Sequence, residues 1–229
     1  MSGDLILHLA RSRLPTRHFK SDPIPEKELK GILEAARFAP SGFNLDPIHY
    51  VVVTQADTRK KLARACFQQY QVTEAPVLIV LTADRRCVRH NLSRVVDGLK
   101  LSAEAEERLR RVVRMNFEQG ACGLIWLAKL VGGFLFHPFT PMPLFPAIHK
   151  RSWLAKQAGL AAANILLAAE GFGLGTAILE NFDESRVRHA LKIPRYHTVP
   201  MIIALGWPEN KNHVQFRLPA ADKVHNEEW

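Results

Sequence analysis

Several groups of residues in this 229-residue chain have the types and spacing to do chemistry. Arg11, Ser12, Arg13 and Arg17 lie within seven residues, and guanidinium groups suit phosphate because they donate paired hydrogen bonds to it. Taken alone, such a cluster more often marks a solvated basic segment. A late Arg217, in Q-F-R-L-P, follows the apolar run V-P-M-I-I-A-L-G-W-P. A turn, A-P-S-G-F-N-L-D-P-I, carries Pro40, Ser41 and Asn44 between a helix-like segment and a β-branched run. A glycine-punctuated stretch, G-L-G-T-A-I-L-E-N-F-D-E, carries Glu180 and Asn181.

Other chemistries leave no motif. The ten histidines show no H-E-x-x-H or comparable metal spacing, and no G-x-S-x-G elbow is present. His137, His149, His189 and His197 read as surface or packing residues. G-F-G-L-G-T lacks the G-x-G-x-x-G spacing and precedes a strand, which excludes a dinucleotide fingerprint. Cys66, Cys87 and Cys122 form no C-x-x-C pair, as expected of free thiols in a reducing cytoplasm. The N-terminus has no basic region followed by an apolar core, so no signal peptide is read. The most apolar block, Leu124 to Phe136, is shorter than the about 20 residues a span needs. Net charge is 31 − 22 = +9, a basic surface that favours anionic ligands without choosing among them.

The elements that must position these groups follow from periodicity. A short amphipathic helix is expected at 4–13. A second starts near Ser21–Leu29, with Pro25 in its first turn, and Pro40 stops it. Strands are expected at His49–Thr54, Val77–Thr82, Thr176–Leu179 and Val199–Leu205. The longer runs are nearly continuous in apolar residues, as in a sheet covered on both faces. Residues 153–169 contain seven alanines and read as a helix buried in the core or at a subunit interface, ended by Gly171, Gly173 and Gly175. Between the second and third strands lies a mostly helical insert, at about 85–150. Glu104, Glu106 and Glu107 there precede Arg108, Arg110 and Arg111 by four residues. With no repeat and no Gly/Ser linker, residues 1–229 read as one domain.

Placed on these elements, the motifs resemble the FMN-dependent nitroreductase family. Arg17-His18-Phe19 is similar to the end of that family's Arg-Arg-Ser-x-Arg-x-Phe pattern, with Arg13 on its first basic position and Pro15 where serine is usual. Pro40, Ser41, Asn44 and Pro47 stand in register with A-P-S-x-x-N-x-Q-P-W, with Asp46 and Ile48 replacing Gln and Trp. Glu180 and Asn181 match a segment ending Glu-Gly-Phe-Asp, and Arg217 matches a C-terminal basic position. The resemblance implies an α+β, three-layer fold: a central mixed, mainly antiparallel sheet flanked by helices, dimeric, with FMN at the interface.

It further implies that Arg13 and Arg217 hold the phosphate and that Arg17 stabilises charge near the pyrimidine ring. Pro40, Ser41 and Asn44 would form part of the pocket, and Glu180 and Asn181 would present backbone to the flavin. Gln68 and Gln71 would serve the pyrimidine edge, since amides both donate and accept. NAD(P)H would deliver a hydride, and a nitroaromatic, quinone or similar acceptor would take it in a ping-pong sequence. No protein nucleophile is required, because the cofactor carries the reaction. Trp126, Phe134, Phe136, Phe139 and Phe145 in the insert could line an apolar pocket over the flavin, or simply pack.

Three rivals stand beside this reading. The fold could run a different flavin reaction such as dehalogenation, or serve as a flavin-binding or sensing protein with little turnover. Nucleic-acid binding through the basic insert is disfavoured by its interleaved glutamates. Membrane insertion is not expected.

Overall fold

The computed structural model describes residues 3–117, 127, 131–132, 149–210 and 216–228. The insert beyond residue 117, with its five aromatics, Cys122, His137 and the proline-rich 136–143 run, lies outside the described residues, apart from short fragments.

The β-branched runs pair into a sheet of order β1-β2-β4-β3, formed by β1 (Ile48–Val53), β2 (Val77–Asp84), β3 (Gly175–Leu179) and β4 (His197–Gly206). β2 is buried at every residue and β4 at all but one, as continuous apolar runs demand. The edge strand β1 is only partly covered. All three pairings are antiparallel. Among the described residues the parallel component is a single bridge, Pro15 to Thr176.

Alternation along β2 sorts the two faces. Val77, Ile79, Leu81 and Ala83 face α2 (Glu26–Arg37) and the long α7 (Lys150–Gly171). Leu78 and Val80 face α3 (Ala56–Ala65), Val72 of α4 (Tyr70–Glu74) and Val187 of α8 (Glu184–Leu191). The result is three layers. Ala158, Ala161, Ala162 and Ala169 of α7 are buried, and their small side chains let the helix backbone lie close to the sheet. Asn164 donates to the Ala35 carbonyl at 2.9 Å and ties α7 to α2. Pro25 sits one residue earlier than expected, as the N-cap of α2, where its missing N–H costs nothing. α1 (Gly3–Ser12) packs on α7 but buries no residue.

α5 (Cys87–Leu99) and α6 (Ala103–Phe117) form a third cluster, in which Leu45, Cys87, Val113 and Phe117 are buried. On α6, Arg110–Glu106 and Arg111–Glu107 close at 2.7 and 2.6 Å, as the four-residue spacing predicts. Cys66 and Cys87 are free and buried, and burial pushes both thiols up to about 11. Among the described residues no helix is long and apolar enough to cross a membrane.

Before α2 the chain runs as an arm along one end of the sheet. Thr16 N donates to Thr176 O at 2.9 Å, Glu209 N to His18 O at 3.0 Å, and Lys20 N to Trp207 O at 2.9 Å. Thr16 is buried against Gly175, where a Cβ would collide with the Thr16 side chain, so only glycine admits the arm. Gly175→Ala should therefore destabilise the fold by about 1–3 kcal/mol through overpacking. Thr16→Ala in the same chain should recover part of that loss in urea unfolding. Additive losses in the double variant would mean the two side chains do not meet.

Candidate functional site

The sequence-predicted residues divide between the two ends of the sheet. Gly175 lies opposite Gly206 and Val77 opposite Leu205, so the arm and the entry to β2 share one end. There Arg13 is half-buried and Arg17 exposed, flanking the anchored Thr16. No ion pair among the described residues engages either arginine. Glu74, at the end of α4, accepts from Phe19 N at 3.2 Å and lies 3.2 Å from His18 Nδ1. The His18 ring stacks on Tyr70. These contacts fix the arm to the segment that carries Gln71.

The glutamine that reaches the Glu180–Asn181 loop is Gln69, which the sequence reading did not name. Its Nε2 donates to Asn181 O at 2.8 Å and to Cys66 O at 2.9 Å. Phe67 and Gln68 adopt φ of 54° and 56°, and this reversal after α3 turns Gln69 inward. Gln68 is exposed and lines a cavity over α3 with Arg59, Lys60 and Arg64. Asp183 N donates to Ala65 O at 2.9 Å, and the Asp183 carboxylate caps α8. Asn181, which stands where Gly is usual, does not need a left-handed backbone, since it is not among the positive-φ residues.

The Pro40–Pro47 turn occupies the other end, where Ile48 faces Ala83 and Asp84 faces His197. Phe43, Asn44 and Asp46 take φ of 58°, 54° and 40°. Gly42 N donates to Gln157 Oε1 at 2.8 Å, and Asp46 N donates to Ser41 Oγ at 2.9 Å. Asn91 Nδ2 donates to the carbonyls of Leu45 and Asp46. Ser41 and Asn44, with Arg37, Asp46, Asn91 and Arg94, line a cavity of about 460 Å³. Pro40 is exposed at its start. Gln157 was also missed. Its signal was a glutamine on the alanine-rich face of α7, seven residues before Asn164.

Arg217 follows the exit of β4. It is exposed, and its Nη1 donates to Phe216 O at 3.0 Å. Gln215 lies outside the described residues. On the insert, Arg85, Arg86, Arg89, Arg110, Arg114 and Lys150 line a cavity of about 430 Å³ over Val88, Leu92 and Phe117. Burial, reinforced by nearby Arg85, pulls the Lys150 ammonium below its ordinary value. Part of the insert's basic set is thus gathered around a concave cavity with an apolar base, while Arg94 lines the cavity beside the turn.

The three-layer fold thus carries an arginine-bearing arm at one sheet end and a polar, left-handed turn at the other. Residues 10–207 match the family model described as Nitroreductase family, and the chain belongs to that family. It is 31% identical over 214 residues to a protein named NADH dehydrogenase from Thermus thermophilus, covering 92% of this chain and 90% of that one. A nitroreductase family protein from Streptococcus pneumoniae shares the fold with a TM-score of 0.71 and 26% identity, over 96% of this chain and 98% of the other. The NADPH:FMN oxidoreductase of Vibrio harveyi, solved with NAD+, superimposes with a TM-score of 0.69 at 22% identity, over 98% of this chain and 78% of the other.

Tyr50 of β1 ties the end of α2 to the sheet. Its hydroxyl donates to Ala36 O at 3.0 Å, at the end of α2, and burial, then the Asp46 carboxylate, pushes the phenol from 10.0 to about 12. A raised folded value means this stabilisation is present in full below the unfolded value and is lost as pH rises through about 12. In an ultraviolet phenolate titration one of the three tyrosines should ionise late. That phase should vanish in Tyr50→Phe; a late phase persisting in the variant would assign it elsewhere.

Proposed function

We propose that this chain is an FMN-dependent oxidoreductase that takes a hydride from NAD(P)H and passes it to a nitroaromatic, quinone or similar acceptor in alternate half-reactions. The observation that carries the reading is the anchored arm: Arg13 and Arg17 stand on a backbone pinned to Thr176, with no carboxylate partner in an ion pair among the described residues. Guanidinium groups carried on an anchored backbone fit a phosphate and an electron-rich ring, and membership of the nitroreductase family supports FMN as the group they would hold.

When bound, FMN would supply reversible hydride acceptance and donation, which lets one site serve donor and acceptor in turn. Arg13 and Arg217 would bind its phosphate, and Arg17 would offset negative charge on the pyrimidine side. Gln69, by gripping the Asn181 carbonyl, holds the Glu180–Asn181 backbone in place. Gln68 and Gln71 remain the candidates for the pyrimidine edge.

The turn with Pro40, Ser41 and Asn44 cannot reach the arm of its own chain. The eight residues of β2 separate the two ends by about 24 Å at ~3.4 Å per residue. The reading therefore includes a homodimer in which a second copy supplies the turn. Exposed Leu160 on α7 and Ile178 on β3 support such an interface, as do Leu5 and Ile6 on α1. Buried free thiols support a reducing, cytoplasmic setting.

One observation favours the sensing alternative. Pro15 supplies no hydroxyl, Thr16 is buried against Gly175, and Ser12 bonds back to Leu9 O, so the family's serine has no substitute on the arm. Steady-state turnover with NADH or NADPH separates the two.

The visible spectrum of the purified protein, with mass identification of any released chromophore, is the first test: stoichiometric FMN is expected. A colourless protein that also fails to take up added FMN would sink the reading. Arg13→Ala with Arg217→Ala should weaken FMN binding about 10²–10⁴-fold, since each charge-assisted contact contributes ~1.5–3 kcal/mol. Full flavin retention in the folded double variant would place the phosphate elsewhere.

A further inference from the structure

The flavin reading leaves a buried polar cluster unused, and strand pairing builds it, with a register shift between Leu81 and Ala83 in the β2–β4 pair bringing His197 opposite Asp84. His49 pairs with Thr82 across β1–β2, and Asp84 pairs with His197 across β2–β4. Thr82 and Asp84 are two residues apart on one strand, so all four side chains share a sheet face. Farther along, that face is wholly apolar, with Val53, Leu78, Val80, Ile202 and Ala204. Asp84 is 1% and His197 7% exposed, while His49 opens to solvent. One donor atom from each of His49, Asp84 and His197 lies within 4.8 Å of the other two.

The groups around these three are arranged to hold them. Thr82 Oγ1 is 3.0 Å from His197 Nδ1 and fixes that ring. Asp84 accepts from Arg86 N at 2.7 Å through Oδ1, and its Oδ2 is 2.6 Å from His90 Nδ1. Tyr196 packs against both His90 and His197. A buried carboxylate needs a partner, and His90 supplies one. That pair does not account for two more imidazoles turned onto the same polar spot at the end of an apolar sheet face.

We propose that His49, Asp84 and His197 bind one divalent transition-metal ion of the zinc class, with water completing a tetrahedral shell. Two imidazole nitrogens and one carboxylate oxygen suit a borderline ion, whereas magnesium and calcium prefer oxygen-only shells. Tetrahedral bonds of about 2.0–2.2 Å place ligand atoms roughly 3.3–3.6 Å apart, so separations that lie within 4.8 Å must shorten by at most about 1.5 Å. His49, exposed at the sheet edge with its ring edge-on to His197 at 4.9 Å, is the ligand that would make that movement while Asp84 and His197 stay in place. Thr82, Arg86 N and His90 are the outer-shell partners that metal-binding side chains ordinarily need. The bound ion cross-links β1, β2 and β4 and, through Asp84–His90, holds α5 beside the Ser41–Asn44 turn.

The test uses the full, untagged chain, stripped with chelator and titrated with Zn2+ by calorimetry, with metal content read by mass spectrometry and FMN content measured in parallel. One zinc per chain is expected, with a thermal midpoint that rises on loading. His49→Ala, an exposed change that leaves the core intact, should weaken binding about 100-fold or more, as should Asp84→Asn. Co2+ in place of zinc should give the intense visible bands of a tetrahedral site, absent in His49→Ala. If wild type takes up no zinc, or His49→Ala binds it as tightly as wild type, the site is refuted. Because flavin content is read separately, that result would leave the oxidoreductase reading standing.

Discussion

The rest of the molecule depends on the register of the β2–β4 pair. These strands are buried on both faces at nearly every position, so their backbone groups have only each other and the flanking strands as partners. A one-residue slip would move Ile79 and Leu81 from the α7 layer to the α3 layer and reverse Leu78 and Val80. Neither layer could absorb that exchange, since both are built to the present shape. The register therefore holds, and it fixes what stands at each end. Leu205 against Val77 sets the level of Gly206 and the arm, and His197 against Asp84 sets the level of the turn and the polar cluster.

What the sequence made legible follows from how local each signal is. Strands β2 and β4 were readable because burial on both faces leaves an unbroken apolar run, and α7 because its alanines are helix formers spaced onto a buried face. The turn was readable as a turn from Pro40 and Pro47, but its shape depends on left-handed Phe43, Asn44 and Asp46, and only Asn and Asp visit that region readily. Which of Gln68, Gln69 and Gln71 faces the Asn181 loop depends on the reversal at Phe67 and Gln68, a tertiary outcome with no marker in the residue types. His49, Asp84 and His197 lie on three strands. A search for ligand spacing along the chain cannot find a cluster made by register.

The charge distribution has the same split between local and tertiary causes. The +9 excess is divided among several elements, with separate cation-lined cavities over α3 and beside α5. On α6, Arg110 and Arg111 are paired with glutamates one turn back, and such exposed pairs contribute little to stability. They keep the helix soluble and in register with itself. Arg85, Arg86 and Arg89 are gathered instead by the start of α5, where the chain leaves β2, and they meet Lys150 because α7 begins alongside. Burial works most strongly against the Lys150 charge and nearby Arg85 adds to it, while Cys87 and Asp84 act in the opposite sense.

α7 connects the two ends. Its 22 residues span about 33 Å, from Trp153 and Gln157 against the Gly42 turn to Gly171 beside the β3 entry and the arm. The helix buries one alanine-rich face on the sheet and still leaves Leu160 exposed on the other, so it has apolar surface to spare for a second contact. A two-fold dimer is isologous: whatever one copy offers at its turn end, it receives at its arm end. If α7 packs across that axis, perpendicular to it, it runs antiparallel to its counterpart, and the turn of each chain would approach the arm of the other. The 24 Å separation within one chain then becomes the reason for the assembly, because neither half of the proposed flavin site is complete until the other copy arrives.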